Sequence, residues 1–164
     1  MTTTPASYSL RMALPSDAEV IARHRALMFL DMDSITLEES DKLFTASVPW
    51  LQHILATGEY ISWLAHQHDE DVVAGGGIYI REIGPVPGMY RTGRWACIMN
   101  VYTEKAHRRR GLARLLMQTM LEWCASNHLD HVTLSASDEG RPLYETLGFI
   151  PTKDMKLPKP PQIP

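Results

Sequence analysis

The stretch Ile98-Met-Asn-Val-Tyr-Thr-Glu-Lys-Ala-His-Arg-Arg-Arg-Gly-Leu-Ala-Arg-Leu-Leu116 decides how the chain must fold. Its first half, Ile98 to Thr103, reads as a buried strand, and its second half, from Leu112, has the apolar spacing of an amphipathic helix. The turn between them holds Gly111 and a run of arginines. A strand feeding a helix through such a turn directs the unpaired N–H groups of the first helical turn at one spot. The positive end of the helix dipole adds to the attraction, so the spot favours an anion such as a pyrophosphate.

Working back toward the N-terminus, Tyr60 to His66 and Val72 to Ile83 are rich in β-branched and aromatic residues. The polar tract Gln67 to Asp71 between them predicts an antiparallel hairpin. Trp95 to Thr103 then joins as a third antiparallel strand, after a Gly/Pro-rich loop from Gly84 to Gly93. Ahead of these strands, Ser16-Asp-Ala-Glu19 and Thr36-Leu-Glu-Glu39 both match capping boxes, so each predicts a helix start. Pro49 is expected to kink or split the second helix, and Gly58 to end it. Tyr8 to Met12 predicts a short first strand. Toward the C-terminus, the helix from Gly111 should run to Asn127, followed by a strand from His131 to Ala136 and a short helix from Pro142 to Leu147. Phe149 to Thr152 and Met155 to Leu157 predict two last strands around a Lys153-Asp154 turn. The tail from Pro158 is too rich in proline to pack regularly. The predicted fold is α/β (α+β): one domain over residues 1–157, with a mixed, mostly antiparallel sheet of about seven strands flanked by helices.

Composition narrows the class of function. A net charge of −3 gives no global field toward nucleic acid or an anionic membrane. No apolar run approaches membrane-spanning length. The segment Met1-Thr-Thr-Thr-Pro5 lacks the charged-then-apolar pattern of a secretion signal, and Cys97 and Cys124 have no metal-ligand spacing, so a reducing, cytoplasmic setting is expected.

Two motifs sharpen the anion site. Arg108-Arg-Arg-Gly-Leu-Ala113 fits R-x-x-G-x-A, and Arg141-Pro-Leu-Tyr-Glu-Thr-Leu-Gly-Phe149 follows further on. Placed after the strand Asn100-Val-Tyr-Thr103, the pair resembles the GNAT superfamily of acetyl-CoA-dependent N-acetyltransferases. The resemblance is specific at Asn100 to Arg114 and at Ser135 to Phe149, and topological elsewhere. It implies that Arg108, Arg109, Arg110, Gly111, Leu112, Ala113 and Arg114 hold the cofactor phosphates. Physical chemistry agrees at Gly111, where a missing side chain lets the backbone come close. The resemblance also implies that Val101, Tyr102 and Thr103 pair with the pantetheine arm through their backbones, with a bulge near Asn100 helping to part the strand from its neighbour. Tyr144 is implied as the acid that protonates the departing thiolate, a task that suits a phenol. Ser137 stands where many family members carry an asparagine that bonds the pantetheine. Arg141 is a further candidate for the phosphates.

The general base is left open: Glu82, Tyr79 and Asn100 are on strands that could line the cleft. By the resemblance, Met32 or Arg25 stands where the first helices overhang the acceptor. Gly75-Gly-Gly77 lacks the following Gly-Lys-Ser/Thr of a phosphate loop, and a strand glycine more often marks a bulge or a close approach. His66 and His68 share strand parity but have no third ligand in sight, so no metal is expected. The implied activity is transfer of acetyl from acetyl-CoA to a primary amine by direct attack in a ternary complex. The alternatives are a non-catalytic acyl-CoA-binding module and a protein acetyltransferase acting on lysine or an N-terminus. The short Lys153-Asp154 turn leaves one side of the acceptor region open, which suggests a homodimer.

Overall fold

The computed structural model describes residues 7–67, 71–88, 90, 93–129 and 131–156. Strand β1 (Ser9–Met12) leads through a short 3-10 turn into helix α1 (Ala18–Asp31) and then helix α2 (Leu37–Thr57). Strands β2 (Tyr60–His66), β3 (Val72–Glu82) and β4 (Arg94–Thr103) follow. Helix α3 (Leu112–Ser126), strand β5 (His131–Leu134) and helix α4 (Arg141–Thr146) complete the order. The five strands lie in one sheet in sequence order, antiparallel from β1 to β4, with β5 parallel to β4.

This is the mixed sheet with flanking helices that the sequence predicts, with five strands in place of seven among the described residues. Residues 149–156 form no strand, and Ile150 and Met155 are exposed. Proline at 151 and at 158 limits ladder pairing over this short span. Leu157, the tail from Pro158 and His68 lie outside the described residues.

Residue parity on the strands sorts the side chains into two layers. Tyr60 and Leu64 pack on one face with Ala18, Ile21 and Ala22 of α1 and Leu51 and Ile54 of α2. Trp63, Ile78, Ala96 and Ile98 pack on the other with Leu112, Leu116, Met117 and Met120 of α3. The glycine run in β3 serves this close packing. A Cβ on Gly77 would fall 2.3 Å from Cζ of Tyr60, and one on Gly76 would fall 3.2 Å from both Met120 and Val101.

One helix start differs from expectation, and one helix is not split where a proline could have split it. α1 begins at Ala18 after the 3-10 turn, because Asp17 turns its carboxylate back to the Leu14 N–H at 2.7 Å and to Arg11 at 2.7 and 2.8 Å. The Ser16–Glu19 box is therefore not used. α2 continues through Pro49 without a break. Pro49 and Thr45, whose carbonyl loses its donor, are both exposed, so water can serve that carbonyl. The other α2 signals match: Glu39 N–H donates to Thr36 Oγ1 at 3.2 Å, Thr36 N–H donates to Glu39 at 2.7 Å, and Gly58 closes the helix at φ 75°.

Candidate active site

The one parallel strand pair opens in mid-strand. β5 matches β4 from Trp95↔His131 to Ile98↔Leu134 and no further. Beyond that point Asn100 adopts a left-handed backbone, φ 58°. The β3 register slips there: Gly75 faces Tyr102 and Gly77 faces Met99, so Asn100 and Val101 together oppose Gly76. A two-against-one bulge bends its strand, and from here β4 has no strand partner on its β5 side among the described residues. The Glu104 N–H donates to Val73 O at 2.9 Å, on the β3 side. Strand alternation then turns the Tyr102 backbone toward β3 and leaves the N–H groups of Val101 and Thr103 on the open side. Thr103 Oγ1 is also buried there with no hydrogen-bond partner.

The chain next makes a 3-10 turn at Lys105–His107 and enters α3 through two left-handed residues, Arg109 at φ 62° and Gly111 at φ 83°. No side chain caps α3, so its first N–H groups stay open. A Cβ on Gly111 would meet nothing within 4 Å, so the backbone conformation, not crowding, demands glycine there. Leu112 is buried in the α3 core and anchors the turn from beneath; Ala113 is half-buried.

The arginines divide into two groups. Arg108 is tied into the protein: it pairs with Asp31 at the end of α1, donates from Nε to Thr103 O at 3.0 Å, and lies over the Tyr102 ring. Lys105 also reaches Asp31, at 2.9 Å, and the Tyr102 hydroxyl donates to Asp31 at 3.2 Å. Burial alone would raise the Asp31 carboxyl, but Lys105 and Arg108 outweigh it and hold it below the ordinary carboxylate range. Arg110 donates to Tyr8 Oη and to Ala106 O, both at 3.1 Å. Arg109 and Arg141 are exposed, and their side chains make no hydrogen bond or ion pair among the described residues. Arg114 donates to Thr146 Oγ1 at 2.9 Å, which ties the start of α3 to α4.

That tie brings the second motif beside the first. Tyr144, two residues before Thr146, is half-buried against the α3 core and meets Phe149 edge-on at 6.2 Å. Its hydroxyl has no protein partner among the described residues, and burial raises its pKa, so it keeps its proton. Ser137 Oγ accepts from the Gly140 N–H at 3.1 Å and so fixes the entry to α4. A Cβ on Gly140 would collide with Tyr144 Cε2 at 2.9 Å, so the glycine is what lets the ring lie there.

On the α1 side of the split, Asn100 Oδ1 accepts from Arg25 Nη1 at 2.7 Å, and Asn100 Nδ2 donates to Tyr60 Oη at 3.1 Å. Tyr60 is fully buried, which pushes its pKa up to about 12. Next along, buried His24 lies 5.2 Å from the Tyr102 ring and 3.3 Å from Glu104. Burial pulls the His24 pKa down against the opposing effect of Glu104. Of the three residues considered as cleft-lining bases, only Asn100 stands at the split. Tyr79 and Glu82 line a cleft of about 510 Å³ with Thr57, Glu59 and Arg94, at the other end of β4. Cys124 is buried, which pushes its thiol up to about 11 and makes it a poor nucleophile.

Asp31 and Glu104 were not legible as site residues from the sequence alone. An acid in the last turn of a helix does oppose the helix dipole, and that is a signal that cations must lie near. His66, at the end of β2, is buried, and both its ring nitrogens lack partners among the described residues. Among the described residues, no group of three or more His, Cys, Asp or Glu side chains is placed to hold a metal ion, and no helix is long and apolar enough to cross a membrane.

A parallel strand pair that parts over an uncapped helix N-terminus, with a protonated phenol on the adjoining helix, marks an α/β fold with an open strand edge beside a free helix start. Residues 25–149 match the model of the acetyltransferase (GNAT) family, and the chain belongs to that family of acyltransferases. A GCN5-related N-acetyltransferase from Ralstonia eutropha is similar in structure at a TM-score of 0.85 and 28% identity, covering 93% of this chain and 98% of its own. A predicted acetyltransferase from Clostridium acetobutylicum, solved with acetyl-CoA, is similar at 0.80 and 22% identity, covering 93% and 96%. An aminoglycoside acetyltransferase from an uncultured soil metagenomic sample is similar at 0.70 and 18% identity, covering 95% and 99%. No curated protein sequence matches the chain.

Proposed function

We propose that the protein transfers an acetyl group from acetyl-CoA to a primary amine, by direct attack within a ternary complex. The observation that carries this reading is the parting of β4 from β5 after Ile98, with the Asn100 bulge turning an unpaired strand edge toward the α3 N-terminus. The residues on that edge fit the cofactor. Val101 and Thr103 offer N–H groups at strand spacing for the amides of the pantetheine arm, and the orphaned Thr103 Oγ1 lies beside them. The first N–H groups of α3 and the exposed Arg109 suit the pyrophosphate. Arg110, Arg114 and Arg141 stand at the margin of that site. Arg108 and Tyr102 act from behind, since Asp31 holds the first and β3 holds the backbone of the second.

Acetyl-CoA supplies the activated thioester. The neutral acceptor nitrogen bonds to the acetyl carbon as the carbon–sulfur bond breaks, and the proton this nitrogen then sheds passes to solvent, which reprotonates Tyr144. Tyr144, kept protonated by its surroundings, holds the proton that the departing sulfur needs.

Release of CoA from acetyl-CoA, followed with a thiol reagent across a panel of amines, tests the reading. Tyr144→Phe should lower kcat by about 10²-fold with little change in the Michaelis constant for acetyl-CoA. An unchanged kcat removes Tyr144 from the acid role. Tight binding of acetyl-CoA without CoA release from any amine would favour a non-catalytic acyl-CoA-binding module.

A further inference from the structure

Arg25 is a charged side chain without a counter-ion among the described residues. It is half-buried on α1, and burial lowers its pKa. Among the described residues it is in no ion pair. Its one hydrogen bond goes to a neutral oxygen, Asn100 Oδ1. Its enclosed Nε–H has no acceptor at all. Two rings hold the guanidinium in place without neutralising it: Phe29 at 5.3 Å and Trp50 at 5.5 Å from ring centre to Cζ. A guanidinium carries five donors in a planar fork, and here one donor is used. Leaving a desolvated cation in this condition is unfavourable unless something else completes it.

The position of this cation is fixed with care. Asn100 must turn Oδ1 to Arg25 because its Nδ2 donates to Tyr60 Oη. Tyr60 in turn is wedged so tightly over Gly77 that a Cβ there would overlap it. The chain Gly77, Tyr60, Asn100, Arg25 therefore runs from the rigid sheet to an under-satisfied guanidinium at the Asn100 bulge. That is the point where β4 leaves β5, and where the proposed transfer would occur.

We infer that the acceptor is an amine that carries its own carboxylate, an amino acid or a compound of that class, and that Arg25 binds this carboxylate and so determines acceptor specificity. The inference rests on the acyl-transfer reading above. A carboxylate suits the site better than a phosphate. It carries one charge, the fork matches its two oxygens, and no second cation stands with Arg25 among the groups that act on it. The carboxylate anchored there places the amine toward the bulge, and the neighbouring rings of Phe29 and Trp50 favour an acceptor with an apolar side chain.

Matched acceptors test this directly. CoA release is measured with L-phenylalanine and L-methionine, with their decarboxylated counterparts 2-phenylethylamine and 3-(methylthio)propylamine, and with O-phosphoethanolamine. For the wild type, kcat/KM should favour the carboxylate-bearing member of each pair by about tenfold or more, the size of one well-made charged hydrogen bond. Arg25→Gln should bring that ratio near one, mainly through KM for the amino acid. Arg25→Lys should recover part of it, because charge returns without the fork. A wild-type ratio near one overturns the inference while leaving acyl transfer standing, and it needs no variant to fold. Preference for O-phosphoethanolamine over both amino acids overturns the carboxylate assignment. Absence of CoA release with every amine overturns both this inference and the reading beneath it.

Discussion

Asp31 ends α1 with a negative charge where the helix dipole is already negative. Lys105, Arg108 and Tyr102 converge on it and turn an unfavourable position into a joint between α1 and the turn that leads into α3. Its carboxyl is held below its unfolded value, so its contribution to stability is present above the unfolded pKa of about 3.9 and is lost as pH falls through the folded value. Asp31→Ala should reduce unfolding free energy by about 2 kcal/mol near pH 7, read as a lower urea midpoint. The gap to wild type should shrink below about pH 4; an equal gap at pH 3 would show that Asp31 acts through packing alone. The arginines should separate in the same way. Arg109→Ala should raise KM for acetyl-CoA by about tenfold with the urea midpoint unchanged. Arg108→Ala should lower that midpoint, because it leaves Asp31 with only Lys105 and the Tyr102 hydroxyl among the described residues. Identical profiles for the two variants would contradict the division of the cluster.

At the scale of elements, β4 is the strand on which the site depends. Its lower half is ordinary sheet, paired on both sides, and among the described residues its upper half is paired only to β3. The glycine run of β3 makes room for what lies over the change, Tyr60 on one face and Met120 with Val101 on the other. Gly77→Ala should therefore disturb Tyr60 and, through it, Asn100. A loss of about 1–3 kcal/mol is expected from such overpacking, with kcat/KM falling by more than the loss of folded protein explains. Normal activity in a fully folded Gly77→Ala protein would separate the bulge from the Tyr60 support. The helix at Leu37–Thr57 shows the limit of local rules. Its cap at Thr36 and its stop at Gly58 were legible because those residues act on their own backbone. Whether Pro49 would split the helix was not, because that depends on which side of the helix faces water.

For the molecule as a whole, the sequence carried the layered sheet, the strand–turn–helix and the element order, since each rests on periodicity or on a turn residue. The final strand pair expected over Phe149 to Leu157 did not form among the described residues; β-branched and aromatic content alone does not make a strand where prolines interrupt the ladder. The partnership of Asp31 with Arg108 and of Asn100 with Arg25 spans 77 and 75 residues. No local pattern encodes contacts at that separation, so they became visible only once the layers were stacked.

The central claim is that the open edge of β4 receives the cofactor as an added strand. Amide hydrogen exchange, followed residue by residue by NMR with and without acetyl-CoA, tests it most directly. The Val101 and Thr103 amides should exchange fast in the free protein and slow markedly on addition of acetyl-CoA, while the Tyr102 amide, already bonded to β3, is slow in both. Unchanged exchange at Val101 and Thr103 in the presence of saturating acetyl-CoA would contradict the account.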